Sequence, residues 1–198
     1  NTAAGLPVVF GTAPVHLASE RAQSNKPILC YSYAEAVQQL GYSKDWAKYT
    51  LCEVMYSQFA LYNRGPVVFV NVLDPQTHKK STSSKNVTVT NKVAKVDAPV
   101  LLDTLQIKAS TAGSALIAGS DYEAAYDDDG VLVITLLDDG TATAASNLTL
   151  TYDEIDAAAV DADDIIGGIN VSDGSVKGLE CLNKVFPITG LVPGIVLA

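Results

Sequence analysis

Histidine, cysteine, methionine and tryptophan are scarce in this chain: two, three, one and one among 198 residues. His16 and His78 have no partner at metal-ligand spacing, so no imidazole ligand set is legible. Cys30, Cys52 and Cys181 are odd in number, far apart and set in apolar stretches. That reads as three buried, reduced thiols and not as a disulfide framework. A phosphate-cradling glycine loop and a Gly-x-Ser-x-Gly nucleophile turn are both missing, and Gly167-Gly168 alone is a weak signal. No apolar run approaches the roughly 20 residues of a membrane span, and no basic-then-apolar leader opens the chain. No catalytic residues, metal site, cofactor or direct membrane insertion are therefore expected. Lys and Arg are absent between Lys108 and Lys177, and the formal net charge is −9. Such a balance argues against nucleic acid bound through general electrostatics.

What is present is enough for a core. Hydrophobic residues make up 48% of the chain, and a chain of this size buries roughly 70% of its unfolded surface. Val8 to Thr12 is a short apolar run ending in Gly-Thr-Ala-Pro, and Pro66 to Leu73 is a second; both read as buried strands. Pro27 to Tyr31 reads as a shorter one. Ser32-Tyr33-Ala34-Glu35 has the capping-box form ahead of a helix bearing Ala36, Val37 and Leu40, with Gly41 as its stop. Ser43 is expected to cap a second helix reaching about Asn63, with Asp45 near its N-terminus. At 100° per residue Ala47, Leu51, Val54, Met55, Phe59, Leu61 and Tyr62 share its apolar arc, with Gln58 inside that arc. Trp46, Tyr49, Glu53 and Ser57 face away. Trp46 with Tyr49 and Tyr56 reads either as a contact surface or as packing under a loop or second domain.

The texture changes after Asp74-Pro75. Lys79 to Lys85 reads as a Ser/Lys-rich connector. Val87 to Thr90, Leu101 to Ile107, Val131 to Leu137 and Leu148 to Tyr152 read as short strands. Asp129-Gly130 and Asp139-Gly140 are expected to form type I′ hairpin turns. Asp127-Asp128-Asp129-Gly130 invites a calcium reading, but it lacks the alternating ligands and distal Glu of an EF-hand, and a turn explains it. Asp161, Asp163 and Asp164 read as the acidic N-terminus of a helix containing Ile165-Ile166. Asn86, Asn147 and Asn170 open glycosylation sequons that arise by chance in Thr-rich strands. The expected fold is an α/β (α+β) domain with a mixed sheet, residues 1–75 plus 162–198. It is interrupted by an inserted, acidic, mostly antiparallel β-barrel or β-sandwich domain, residues 76–161. If so, residues 66–73 and 194–198 share a sheet. The start without Met and the stop at Gly194 to Ala198, inside what reads as a buried strand, lead to the expectation of a fragment.

Four motifs in order carry a resemblance. They are Val9-Phe10-Gly11-Thr12-Ala13-Pro14, then Val67 to Pro75, then Ile165-Ile166-Gly167-Gly168, then Gly178-Leu179-Glu180 with Leu191 to Ala198. Together with the position of the insertion, they resemble the contractile tail sheath proteins of phages and phage-derived particles. The resemblance implies a non-enzymatic subunit that stacks in rings around an inner tube and contracts to drive it through a target envelope. It implies other sheath subunits, the inner tail tube protein and the baseplate as partners. It also implies a place in a virion tail or phage-like particle after synthesis in the bacterial cytoplasm. The family's N-terminal arm and C-terminal assembly region are not found here, and no partner-binding residues carry over. A different class of reading is a module whose β insert recognises a cell-surface glycan or protein, motivated by the acidic hairpins and Tyr122/Tyr126. A third is a hydrolase with a site the sequence does not display.

Overall fold

The computed structural model describes residues 5–198. In chain order the strands are β1 (Leu6–Gly11), β2 (Ile28–Cys30), β3 (Val67–Asn71), β4 (Lys79–Thr88), β5 (Val93–Val96) and β6 (Gln106–Lys108). There follow β7 (Tyr122–Tyr126), β8 (Leu132–Leu136), β9 (Asn147–Ile155), β10 (Gly168–Ile169), β11 (Val176–Lys177) and β12 (Pro193–Leu197). The α-helices are α1 (Tyr33–Leu40), α2 (Thr50–Met55), α3 (Ala162–Ile166) and α4 (Val185–Thr189). The architecture is mixed α/β with several sheets. Two compact units emerge: residues up to His78 with Asp156–Ala198, and Lys79–Ile155.

The first unit is organised by a four-stranded sheet in the order β12-β1-β3-β2, with β12, β1 and β3 parallel and β2 antiparallel. Strands β3 and β12 thus flank β1, although some 120 residues of chain separate them. On one face Leu6, Val8, Phe10, Val68, Val70 and Val72 pack with Cys181 and Val185. On the other, Phe69 meets Phe59 with ring centroids 6.2 Å apart. Covering both faces explains why β1 and β3 are continuously apolar instead of alternating. Each such side chain taken from water stabilises the fold by about 1.5–3 kcal/mol.

Strand β12 departs from the expectation of a buried strand. It lies at the sheet edge, and Ile195, Val196 and Leu197 are 54%, 42% and 46% exposed. Ile195 and Val196 align with Pro7 and Val8 and point to opposite faces, yet neither is covered. At its start the backbones of Gly194 and Gly5 approach so closely that a Cβ on either would meet the other's main chain.

The helices correct one boundary and one cap contact. Ser32 caps α1 as expected, its Oγ accepting the Glu35 amide at 3.2 Å, but Glu35 Oε2 accepts from the Tyr31 amide, one residue before the cap. The second helix begins at Thr50, not near Ser43, because Ser43 and Asp45 spend their side chains on a local turn. From Tyr56 to Leu61 it winds as a π turn. The wider π turn rotates later residues out of the α-helical arc, so Leu61 and Tyr62, expected inside, are 60% and 69% exposed. Ala47 is exposed, and Tyr49, expected to face outward, is buried with its ring 5.9 Å from His16.

In the second unit, β4-β9-β6 and β5-β8-β7 form two antiparallel three-stranded sheets. Ile107, Leu148, Leu150 and Tyr152 from one share an apolar cluster with Ala94, Val96, Tyr122, Leu132, Ile134 and Leu136 from the other. No ladder among the described residues joins the two sheets, so of the expected barrel or sandwich the closed barrel is absent; beyond β6 the pairing continues only as a bridge from Lys108 to Ala115, with the Leu116 amide donating to the Ile107 carbonyl. The presumed connector Lys79 to Lys85 belongs to the ten-residue β4. Its side chains are mostly exposed, which removes the apolar alternation by which a strand is recognised, and lysines suit such an edge. The type I′ turn falls at Asn91-Lys92, with φ of 51° and 66°, and not at either Asp-Gly pair. At Asp129-Gly130 only Gly130 has positive φ, and Gly140 does not. Acidity is shared more evenly than expected: Lys79–Ile155 holds six Lys against eleven Asp and Glu, the rest seven Lys and Arg against eleven.

Candidate functional site

In open α/β sheets ligands bind beyond the carboxyl ends of parallel strands, which here means the segments after β1 and β3. The chain after β1 is clasped to the start of α2. Thr12 N donates to Thr50 Oγ1 and Thr50 N to Thr12 Oγ1, both at 3.1 Å, while the Thr12 hydroxyl donates to the Lys48 carbonyl at 2.9 Å. After β3, the buried Asn71 accepts from the amides of Ala13 and Leu73 at 3.1 Å, and its Nδ2 donates to the Leu73 carbonyl at 3.0 Å. Ser24 Oγ donates to that same carbonyl at 2.9 Å. The polar atoms that a ligand would use are consumed in joining β1, β3 and α2. The Gly-Thr-Ala-Pro and Val-Asn-Val-Leu-Asp-Pro motifs are therefore structural staples.

The reactive residue types nearby are held inactive. Burial pushes the Cys30 thiol up to about 12, and those of Cys52 and Cys181 up to about 11. All three are free and buried, and a thiol in that range is almost entirely protonated at neutral pH, not a nucleophilic thiolate. Burial, with help from the positive charges of Arg21 and Lys48, lowers His16 to about 3, so its imidazole is neutral.

A second constellation surrounds His78, buried at the end of the β3 exit turn. The Asp74 amide donates to His78 Nδ1 at 2.9 Å, and Nε2 lies 3.2 Å from Asp164 Oδ2. The His78 carbonyl accepts from the Asp156 amide at 2.9 Å. The chain leaves the α/β unit after His78 and re-enters at Asp156, so this bond ties its two ends together. As expected, Asp161, Asp163 and Asp164 form a helix N-terminus: Asp161 Oδ1 accepts the amides of Asp163 and Asp164, and Asp164 Oδ2 accepts that of Asp161. Behind α3, Gly167 at φ +70° presses on the Lys177 carbonyl, where any Cβ would collide.

In the β unit, Asp127 Oδ1 accepts the amides of Asp129 and Val131, so this acidic run is a closed turn. Among the described residues no group of three or more His, Cys, Asp or Glu is placed to hold a metal ion. Sequence reasoning missed Asp121, a buried carboxylate that accepts from Ile117 N, Thr141 N and Thr141 Oγ1 at 2.7–2.8 Å. Those bonds hold its carboxyl below the usual range. A shallow cavity of about 420 Å³ is lined by Ala109, Thr141, Ala142, Ala144, Ala145, Ser146 and Asn147. It has no aromatic face on which a sugar ring would stack. Tyr122 is buried in the core and the Tyr126 hydroxyl donates to the Val100 carbonyl at 2.6 Å, so this pair is not a free recognition surface. In the α/β unit the half-buried Trp46 donates from Nε1 to Tyr42 Oη at 3.3 Å and packs on Tyr56.

No helix among the described residues is long and apolar enough to cross a membrane. No protein-family model and no solved structure matches the chain. A tail sheath protein of Burkholderia phage BcepMu is 30% identical over 196 residues, 96% of this chain. The chain spans 37% of that relative's length. The four ordered motifs and this alignment agree: along nearly its whole length, the chain is similar to a phage tail sheath protein.

Proposed function

We propose that the chain is a structural part of a contractile tail sheath, acting by assembly and movement instead of chemistry. The observation that carries this reading is the 30% identity to a phage tail sheath protein across 96% of the chain. The consumed polar groups after β1 and β3, the protonated thiols and the neutral His16 support a non-enzymatic role. In this reading sheath subunits stack around an inner tail tube above a baseplate, in a virion tail or phage-like particle. Contraction then repacks subunit interfaces as rigid bodies and drives the tube through the envelope. Residues 79–155 form an inserted unit on the outside of the cylinder, and the α/β unit belongs to its wall.

The test is electron microscopy of particles carrying the complete protein, with and without residues 79–155. Labelled protein is expected along extended and contracted sheaths, and removal of 79–155 is expected to leave assembly and contraction intact. Absence of the protein from the tail cylinder removes the sheath reading. Intact, contracting sheaths that no longer adsorb to cells would instead favour the insert as a recognition module for a cell-surface glycan or protein.

A further inference from the structure

We propose that β12 is an interior strand of a larger sheet: in the complete protein its open edge is paired by a parallel apolar strand from another segment of the same polypeptide, whose connecting helices cover its faces. From Leu191 to Ala198 the only hydrogen-bonding groups are those of the main chain, and no side chain is charged. A continuous apolar run of this kind belongs to a parallel strand buried on both faces, and β1 beside it is buried in that way. Register sets Val196 next to Val8 and Leu197 next to Val9. Val8 and Val9 are buried, one on each face, while their β12 neighbours stand 42% and 46% exposed. The layers that cover β1 stop one strand short.

Edges built to face water carry devices against pairing, such as short length, lysines or a bulge. The opposite edge of the same sheet, β2, is only three residues long. Strand β4, an edge of the inserted unit, bears Lys79, Lys80 and Lys85 and a register shift between Thr82 and Lys85. Strand β12 has five residues and no charge, and its register runs unbroken from Ile195 to Leu197. Pro193 stands at its first position, where a strand tolerates proline. Because β12, β1 and β3 run parallel, a further parallel strand is reached by a crossover of about a dozen residues or more, usually a helix lying on the sheet. Such a unit pairs the free backbone groups and covers the exposed side chains together. The same polypeptide is the source because the aligned sheath relative is far longer: this chain spans 37% of it. A tethered segment acts at an effective concentration of about a millimolar, so it reaches the edge ahead of a second copy. The inference rests on that similarity in sequence, and not on contraction or on a place in the tail.

The test compares residues 1–198 with the complete protein, both held monomeric as checked by sedimentation, so that assembly plays no part. Ile195→Cys and Val196→Cys probe the two faces with a maleimide at neutral pH, each rate taken relative to that of the exposed Glu123→Cys. The three native thiols are buried and stay silent. Both probes are expected to react freely in 1–198 and at least roughly a hundredfold more slowly in the complete protein, where reaction waits for local opening. In the unaltered proteins, the amides of 194–197 that point away from β1 are expected to exchange freely in 1–198 and to be protected in the complete monomer. Free reaction and exchange in the complete monomer would overturn the proposal. Protection that arises only when subunits assemble would overturn it too, by making a second copy the partner, and would leave the sheath reading standing.

Discussion

Lowering the pH from 7 to 4.5 is expected to weaken the α/β unit through His16. The imidazole is buried in the segment after β1, near Tyr49, where burial first and then Arg21 and Lys48 lower it from 6.5 to about 3. The unfolded chain takes up a proton below 6.5 while the folded chain does not, so acid favours unfolding. The contribution of His16 is complete above about pH 6.5 and is lost progressively as pH falls toward 3. At about 1.4 kcal/mol for each pH unit in that window, the loss by pH 4.5 is on the order of 2–3 kcal/mol. Set against a total of roughly 5–15 kcal/mol for a domain, this is a large share. Asp121, Asp138, Asp153 and Asp173, whose folded carboxyls are held low by hydrogen bonds or by Lys92 and Lys79, act in a separate window. Their support is present above about pH 4 and is lost only below it. Urea unfolding at pH 7, 6, 5 and 4.5, on the wild-type chain and on His16→Gln, separates the two. The variant starts less stable because it disturbs the core, but its stability should decline more gently with acid. Parallel declines would show that His16 is not the group responsible.

Three further outcomes follow from individual contacts. Asn71→Ala strands the Ala13 and Leu73 amides without their acceptor and should cost about 2–4 kcal/mol, read from the urea midpoint at unchanged slope. Ser32→Ala removes the cap of α1 and should cost about 1 kcal/mol, whereas Ser32→Asp should restore most of it. Ile195→Lys puts a charge on the uncovered edge strand β12 and should reduce self-association in sedimentation without lowering the melting temperature; a rise in association would contradict the exposed geometry.

The sequence was most legible where burial is two-sided. The apolar runs of β1 and β3 follow from hydropathy, and the acidic start of α3 from its run of aspartates. It misled where one element overrides local preference. The start of α2 lies past Ser43, whose hydroxyl closes a local turn, and at Thr50 it is clasped by a threonine 38 residues away. The π turn at Tyr56 undid the 100° arithmetic for Leu61 and Tyr62. The first part of β4, Lys79 to Lys85, read as a connector because most of its residues face water and its pairing with β9 supplies the order. At the neck, His78 looked like a polar-loop histidine, since neither Asp74's amide nor Asp164's side chain announces itself at a distance in sequence. Asp121 shows the same limit: its three donors come from Ile117 and Thr141, and no spacing rule links them.

The single hydrogen bond from Asp156 to the His78 carbonyl has a consequence for protein engineering. Lys79 and Ile155 sit opposite each other across β4 and β9, so the two chain ends there are about 5 Å apart. Any foreign sequence whose own termini lie side by side can be grafted between them without stretching its host. The α/β unit is in this sense a socket, and reporter or affinity domains exchanged at 79–155 should leave its folding untouched.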